Sequence, residues 1–335
     1  MNRLAHAAAL IRAGRLVAFP TETVYGLGAN ALDAAAVERI FAAKRRPRSS
    51  PMIVHVDSIR MAQSLAARWP DAADTLARRY WPGPLTLVVP KRPEIPDVVT
   101  AGLPTVGLRM PAHPLALELI RASGVPIAAP SANRFTGLSP TGAAHIPEAL
   151  ADYVLDGGPA SVGIESTVIG LVDAPLLLRP GTIPLPDIEA LIGPVEVAPQ
   201  PEGAHASPGM HPRHYCPRTP LLLLAPGQAP PGGRGAWLRR GCEMPADPRP
   251  YAAALYDTLH RLDARHLDWI AVEAPPDAPE WAGVLDRLRR AASPCGAGFQ
   301  PAAGFQPASG RPHAPAGPIE NRPQVKNLPH GEEKP

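Results

Sequence analysis

The sequence predicts an α/β fold built on a mixed sheet, followed by a smaller Rossmann-like α/β layer. Three observations carry this. Short apolar runs of strand type alternate with segments whose apolar residues recur at helical spacing. Several strand-like runs follow one another directly instead of across a helix, which argues for a mixed sheet and against a strictly parallel one. Prolines also divide the chain: of 46 in 335 residues, ten fall within 194–231 and eight in the last forty positions. Proline fixes φ and stiffens a linker. The predicted organisation is a large domain over 1–193, a proline-rich linker over 194–219, a small domain over 220–295 and a low-complexity tail over 296–335.

The elements follow in order. Leu4, Ala8 and Ile11 share a helical face, and Gly14 suits the position just past a helix end. Leu16 to Phe19 reads as a strand stopped by Pro20. Asp33 caps a helix carrying Val37, Ile40 and Phe41, which ends in Lys44, Arg45 and Arg46 before Pro47. Met52 to Val56 is a buried-type strand, and helices are expected near 58–68 and 71–80. Leu85 to Val89 and Val106 to Arg109 read as strands, and His113 to Ser123 as a helix closed by Gly124. Strand-like runs follow at 126–129, 153–155, 166–172 and 175–178. Beyond the linker the order is a strand at 221–224, a helix at 251–262, a strand at 269–272 and a helix at 281–292. The repeated Ala-Gly-Phe-Gln-Pro-Ala at 297–308 has too few aliphatics to repay its ordering entropy, so disorder is expected there.

Composition narrows the function. A net charge of +3 gives no global polyanion field, so any such site must be a local cluster. Three widely spaced cysteines form no CxxC pair, which supports neither a disulfide framework nor a zinc ribbon and fits a reducing cytoplasm. His6, Arg12 and Arg15 interrupt the N-terminal alanines, so a signal peptide is not expected, and no apolar run reaches membrane-spanning length. Gly26-Leu-Gly28-Ala-Asn-Ala31 fits a loose dinucleotide pattern but stands apart from the preceding strand and lacks the later acidic residue. His211-x-x-His214-x-Cys216 has metal-like ligand types without a second pair. The run Lys44-Arg45-Arg46-Pro47-Arg48 is either a solvated helix end or a phosphate site. The hydroxyl- and glycine-rich loop over 20–28 and the Pro130-Ser131-Ala132-Asn133 segment lie near strand ends, where open α/β sheets bind ligands.

Seven ordered strings carry a family resemblance: PTETVYGLGANA, the K-x-R-P at 44–47, PMIVHV, WPGPLTLV, VGLRMPAHP, APSANRFTG and GIESTVIG. The chain resembles the YrdC-like L-threonylcarbamoyladenylate synthases. SPGMHPRHYCPRTPL at 207–221 is similar to the linker of their long form, which adds a C-terminal accessory domain.

That resemblance implies a YrdC-like twisted mixed sheet with a concave ligand face. It implies an ATP-dependent nucleotidyltransferase that turns L-threonine, bicarbonate and ATP into threonylcarbamoyl-AMP and pyrophosphate, with Mg²⁺ on the phosphates. The product would pass to a tRNA threonylcarbamoyl-transferase for N6-threonylcarbamoyladenosine modification. Lys44 and Arg46 are implied on the ATP phosphates. Ser50, Thr105, Ser131, Asn133, Ser139, Arg179 and Tyr215 are implied around the nucleotide, and Thr23, His55, Arg109, Ala129 and Ser166 around the threonine. Arg109 suits a carboxylate because its guanidinium pairs bidentately. Ser50 stands where an asparagine is common, Ala129 where a hydroxyl is common and Pro212 where an aromatic is common. The residues by themselves also allow a core role for His55, a strand-end charge for Arg179 and a helix cap for Ser139. The alternative reading is an RNA-binding module using the basic run, which predicts tight RNA binding with a steep salt slope; for the enzyme reading a weak RNA contact is expected.

Overall fold

Side-chain caps set four of the helix starts among the described residues. Asn2 accepts from Leu4 N to begin α1 (Arg3–Arg12), and Asp33 accepts from Ala35 N and Ala36 N to begin α2 (Ala34–Lys44). Ser58 caps α3 (Ile59–Leu65), and His113 caps α6 (Pro114–Ser123), whose first residue is proline and whose end is Gly124 in the left-handed region. α4 (Asp71–Tyr80) and α5 (Asp97–Thr100) start after prolines. The computed structural model describes residues 2–198 and 214–292, which belong to one compact unit. The expected low-complexity tail, His211 and Pro212 lie outside the described residues.

The strands of the larger sheet are β1 (Val17–Phe19), β2 (Gly26–Asn30), β3 (Ile53–His55), β4 (Leu85–Pro90), β5 (Thr105–Arg109), β6 (Ile127–Ala128), β7 (Tyr153–Val154), β8 (Thr167–Gly170), β9 (Leu176–Arg179) and β10 (Glu196–Val197). They lie in the order β10-β9-β8-β4-β5-β3-β6-β2-β1-β7. β4 runs parallel to β8 but antiparallel to β5, and β3 runs parallel to β5 but antiparallel to β6, so the sheet is mixed. The main core lies on one face, where Leu27, Val37, Ile40, Val54, Leu76, Leu87 and Leu108 are fully buried.

Beyond the linker a second sheet has the order β11-β13-β12, formed by β11 (Leu221–Leu224), β12 (Gly235–Leu238) and β13 (Trp269–Glu273), all parallel. α8 (Pro248–Asp263) and α9 (Ala282–Ala291) complete this layer. No helix among the described residues is long and apolar enough to cross a membrane.

Six elements depart from the sequence expectation. β2 forms where a loop is expected, because glycine here serves packing: a Cβ on Gly28 would stand 2.8 Å from Phe19 and from Ile127. β12, a four-residue strand after Pro-Gly-Gly, breaks the expected strand-helix alternation of the small layer, which runs strand-strand-helix-strand-helix. α5, α7 (Leu185–Ile192) and β10 are short and bounded by proline, so they carry too few periods to be read. The helix expected near Thr141 is a single 3₁₀ turn over Ala143–His145.

Candidate active site

Register places the first two site residues. His55 ends β3 and lies directly opposite Arg109, which ends β5. Around them opens a cleft of about 540 Å³, counted out to its mouth. Thr21, Thr23, Val24 and Gly26 line it from the β1–β2 hairpin, and Ala129, Pro130 and Ser131 from the chain after β6. Glu165, Ser166 and Arg179 come from the far strands, Arg46 from beyond α2, and His214 and Tyr215 from the linker.

The basic run divides at Arg45. Its left-handed backbone, with φ 53°, caps α2 and turns the chain so that Lys44 and Arg46 both face inward while Arg45 is exposed. Arg48 is also exposed and pairs with Glu38 at 2.9 Å. The run is therefore divided, with Lys44 and Arg46 buried and Arg45 and Arg48 exposed.

Lys44 Nζ donates to Ser131 O at 2.5 Å, to Asn133 O, and to Asn133 Oδ1 at 3.2 Å. Burial, and then the neighbouring Arg46, hold its ammonium well below the ordinary lysine range. Arg46 donates through Nη2 to Pro51 O at 3.0 Å, but its buried Nε has no hydrogen-bond partner. Burial brings its guanidinium down to about 10. Neither cation makes an ion pair among the described residues. A desolvated cation with an unused donor in a cleft is a ready anion site.

Arg109 is differently placed. Its Nη2 stands 2.7 Å from Glu22 Oε1, with both side chains buried, while its Nε donates to Gly83 O at 3.2 Å. The two charges are close but not aligned as a hydrogen bond, and both atoms are buried without one. Burial, and then Arg109, push His55 down to about 3, so its ring is neutral at physiological pH, and its Nδ1 is buried without a partner. Thr23 Oγ1 lies 2.9 Å from Thr21 Oγ1 in the same buried corner.

The far wall is tied together by polar contacts. Arg179 donates to Ser166 O through Nε at 3.2 Å and Nη2 at 3.1 Å, and to Ser166 Oγ at 3.2 Å. Ser166 Oγ also lies 2.8 Å from Thr86 Oγ1. Glu165 accepts from Ser139 Oγ at 2.5 Å, from Tyr256 OH at 3.2 Å and from Arg287 Nε at 2.8 Å. Over this wall Tyr215 packs edge-on against His214, and its buried OH has no partner. Burial, and then Glu165, raise its phenol to about 12, so it remains a donor.

Glu165 carries a pH prediction. Burial pushes its carboxyl up, but Arg287, Arg179 and the Ser139 hydrogen bond outweigh this and hold it at about 2, below the ordinary 4.5. A depressed carboxyl contributes stability that is fully present above the unfolded value and lost as pH falls through the folded value. Acid denaturation between about pH 4.5 and 2 is therefore expected to be shallower in Glu165→Gln, followed by circular dichroism. An unchanged slope would show that Glu165 is not linked to folding.

Of the residues implied by the family resemblance, Arg46, Thr23, His55, Arg109, Ala129, Ser131, Ser166, Arg179 and Tyr215 line the cleft. Lys44, Asn133 and Ser139 stand behind the wall: the first two hold Ser131, and Ser139 holds Glu165. Ser50 is buried on the turn after Arg46. Thr105 lies on the Arg109 side of β5 but four residues back, about 13 Å along the strand. Sequence reasoning missed Glu22, Glu165, His214 and Arg287. The first three all sit inside quoted strings, Glu22 and Glu165 in the larger domain and His214 in the linker, but none is singled out for a role there. Arg287 lies 122 residues from Glu165 and carries no local signal.

A mixed sheet whose cleft joins a buried, anion-seeking arginine to a second arginine pole defines an α/β protein built to hold a ligand with two anionic ends. A model of the Sua5/YciO/YrdC family, described as Telomere recombination, matches residues 9–181, and one described as Threonylcarbamoyl-AMP synthase, C-terminal domain, matches 183–293. The chain is 43% identical over 322 residues to the threonylcarbamoyl-AMP synthase of Bacillus subtilis, covering 87% of this chain and 93% of that one. It is 51% identical over 226 residues to that of Pyrococcus abyssi, covering 65% and 66%. A crystal structure of P. abyssi Sua5 complexed with L-threonine superposes with a TM-score of 0.81 at 40% identity, over 86% of this chain and 94% of that one. The chain belongs to the threonylcarbamoyl-AMP synthase family, in the long form with the C-terminal domain.

Proposed function

We propose that this chain is an adenylyl-transferring enzyme that makes threonylcarbamoyl-AMP from L-threonine, bicarbonate and ATP. The observation that carries the reading is the pairing of two cationic poles in one cleft. Arg46, desolvated and with an unused donor, suits phosphate, and Arg109, beside the Thr21–Thr23 hydroxyls, suits an amino-acid carboxylate. The names of the relatives, and the L-threonine in the P. abyssi structure, support the same substrates.

The chemistry needs placement more than covalent help. The threonine ammonium and bicarbonate condense to the carbamate with release of water and a proton. A carbamate oxygen then attacks the α-phosphorus, the bond to the bridging oxygen of the β-phosphate breaks, and pyrophosphate leaves. Charge grows on the phosphates, so fixed donors and cations lower the barrier. Arg46, Arg179 and Tyr215 face the nucleotide, and Lys44 fixes the Ser131 loop beside it. Thr23, neutral His55, Arg109 and Ser166 surround the threonine. Mg²⁺ enters with the ATP phosphates as part of the substrate; the described residues hold no cluster of three His, Cys, Asp or Glu side chains that would bind it separately. We place the reaction in the cytoplasm, upstream of the transferase that loads the threonylcarbamoyl group onto tRNA.

The expected result is threonylcarbamoyl-AMP, detected by mass, and pyrophosphate release that requires threonine and bicarbonate together. Pyrophosphate release indifferent to threonine would overturn the assignment.

A further inference from the structure

We infer that Arg287, supplied by α9 of the C-terminal layer, is a positioning residue for the cleft: it locks together the Ser166–Arg179 wall and the Tyr215 ring. The inference rests on the proposed function for its kinetic readout.

The packing of α9 makes the reach possible. Gly283 lies so close to the chain after β9 that a Cβ there would stand 2.4 Å from Gly181 O. Only glycine permits this approach, and residue 287, one helical turn on, faces the same side. The Arg287 side chain is 1% exposed. Its Nε donates to Glu165 Oε2 at 2.8 Å and its Nη2 to Glu165 O at 3.1 Å. Its Nη1 donates to Pro180 O at 2.8 Å, and further contacts run to Asp286 Oδ2 at 2.9 Å and Gly283 O at 3.4 Å.

The two anchor points are next to the site. Glu165 precedes Ser166, and Pro180 follows Arg179, so one guanidinium holds both ends of the Arg179–Ser166 contact. Its Cζ also sits 5.3 Å from the Tyr215 ring centroid, a cation–π contact on the linker tyrosine. An apolar side chain would pack α9 against the sheet at no desolvation cost. It could not fix a carboxylate, two carbonyls and an aromatic face at once. The cation therefore contributes geometry that packing alone does not supply. Among the described residues, Thr23, His55 and Arg109 make no hydrogen bond or ion pair with it. Of the groups it steadies, Arg179 and Tyr215 face the nucleotide and only Ser166, held through Arg179, faces the threonine, so the larger effect falls on the nucleotide side.

The test uses the full chain and varies ATP and threonine separately. Arg287→Met is expected to raise KM for ATP at least about tenfold, while KM for threonine stays within about threefold. Arg287→Lys, which keeps the charge but not the fork, should fall between. If Arg287→Met does not fold, Arg287→Lys carries the same criterion. Leu288→Ala empties a fully buried position of the same helix away from the cleft and supplies the stability control. It should lower Tm without moving either KM. An Arg287 variant that folds with an unchanged KM for ATP overturns the inference. So does one whose two KM values move together in step with Tm, as a purely structural role requires. A wild-type chain that makes no threonylcarbamoyl-AMP overturns the function itself, a separate outcome.

Discussion

Replacing Arg109 with alanine is expected to abolish threonine-dependent turnover and to destabilise the fold at the same time. The guanidinium is the cleft's fork for a carboxylate, and charge-assisted hydrogen bonds of that type contribute about 1.5–3 kcal/mol each. Losing one such bond lowers kcat/KM for threonine by about 10- to 150-fold, and losing a bidentate pair lowers it further. The stability loss has another origin. Arg109 stands 2.7 Å from Glu22 Oε1, and the two side chains are 4% and 7% exposed. Removing one partner of a buried pair leaves the other charge uncompensated, at about 3–5 kcal/mol. Glu22 Oε2 keeps its hydrogen bond from Ala112 N at 3.0 Å, so the carboxylate remains held in place without its counter-charge. A double variant separates the two effects. Arg109→Met with Glu22→Gln removes both charges, so Tm should recover most of its loss while threonine use stays lost. Recovery of threonine use in the double variant would show that Arg109 serves only the fold.

The Glu22 partnership shows where sequence reading stops. The sequence places Arg109 at the end of a strand and suggests a carboxylate for it. It does not show that a carboxylate from the β1–β2 hairpin, 87 positions earlier, already stands beside it. Capped and periodic elements were legible for physical reasons: Asp33 and Gly124 act within a few residues, so their signal is local. β2 was not legible, because the glycines of Gly26-Leu-Gly28 look like loop residues until Phe19 and Ile127 are seen packed on them. The same limit governs the site. Arg46 and Tyr215 lie in quotable site strings, whereas Arg287 acts on the cleft only through Glu165, Pro180 and Tyr215, brought near by the crossing of α9 over Gly181. The basic run shows the same limit from another side. Its spacing does not say which cations turn inward, whereas the left-handed Arg45 leaves itself exposed between the buried Lys44 and Arg46.

Lys44→Met is expected to have the second large effect, with its own pH signature. The ammonium has three acceptors on Ser131 and Asn133, and methionine leaves all of them without this donor. A buried acceptor left unsatisfied costs about 1–3 kcal/mol, so the loop that carries Ser131 into the cleft should loosen and Tm should fall. ATP use should drop about 100-fold or more, because a fixed cation and the loop it holds are lost together. The proton balance gives a sharper test. Burial, and then Arg46, depress the Lys44 ammonium, so on the alkaline side the folded chain binds fewer protons than the unfolded one. Stability from this group therefore rises with pH from the folded value up to the ordinary lysine value near 10.4. ATP acts in the opposite direction, because negative phosphate charge brought into the cleft in front of the Ser131 loop favours the protonated form of the ammonium behind it. ATP binding at alkaline pH should therefore take up protons, seen by calorimetry as a binding enthalpy that depends on the ionisation enthalpy of the buffer. That dependence should vanish in Lys44→Met. Equal proton uptake in the variant would mean that the coupled proton sits elsewhere and that Lys44 is already fully charged before the nucleotide arrives.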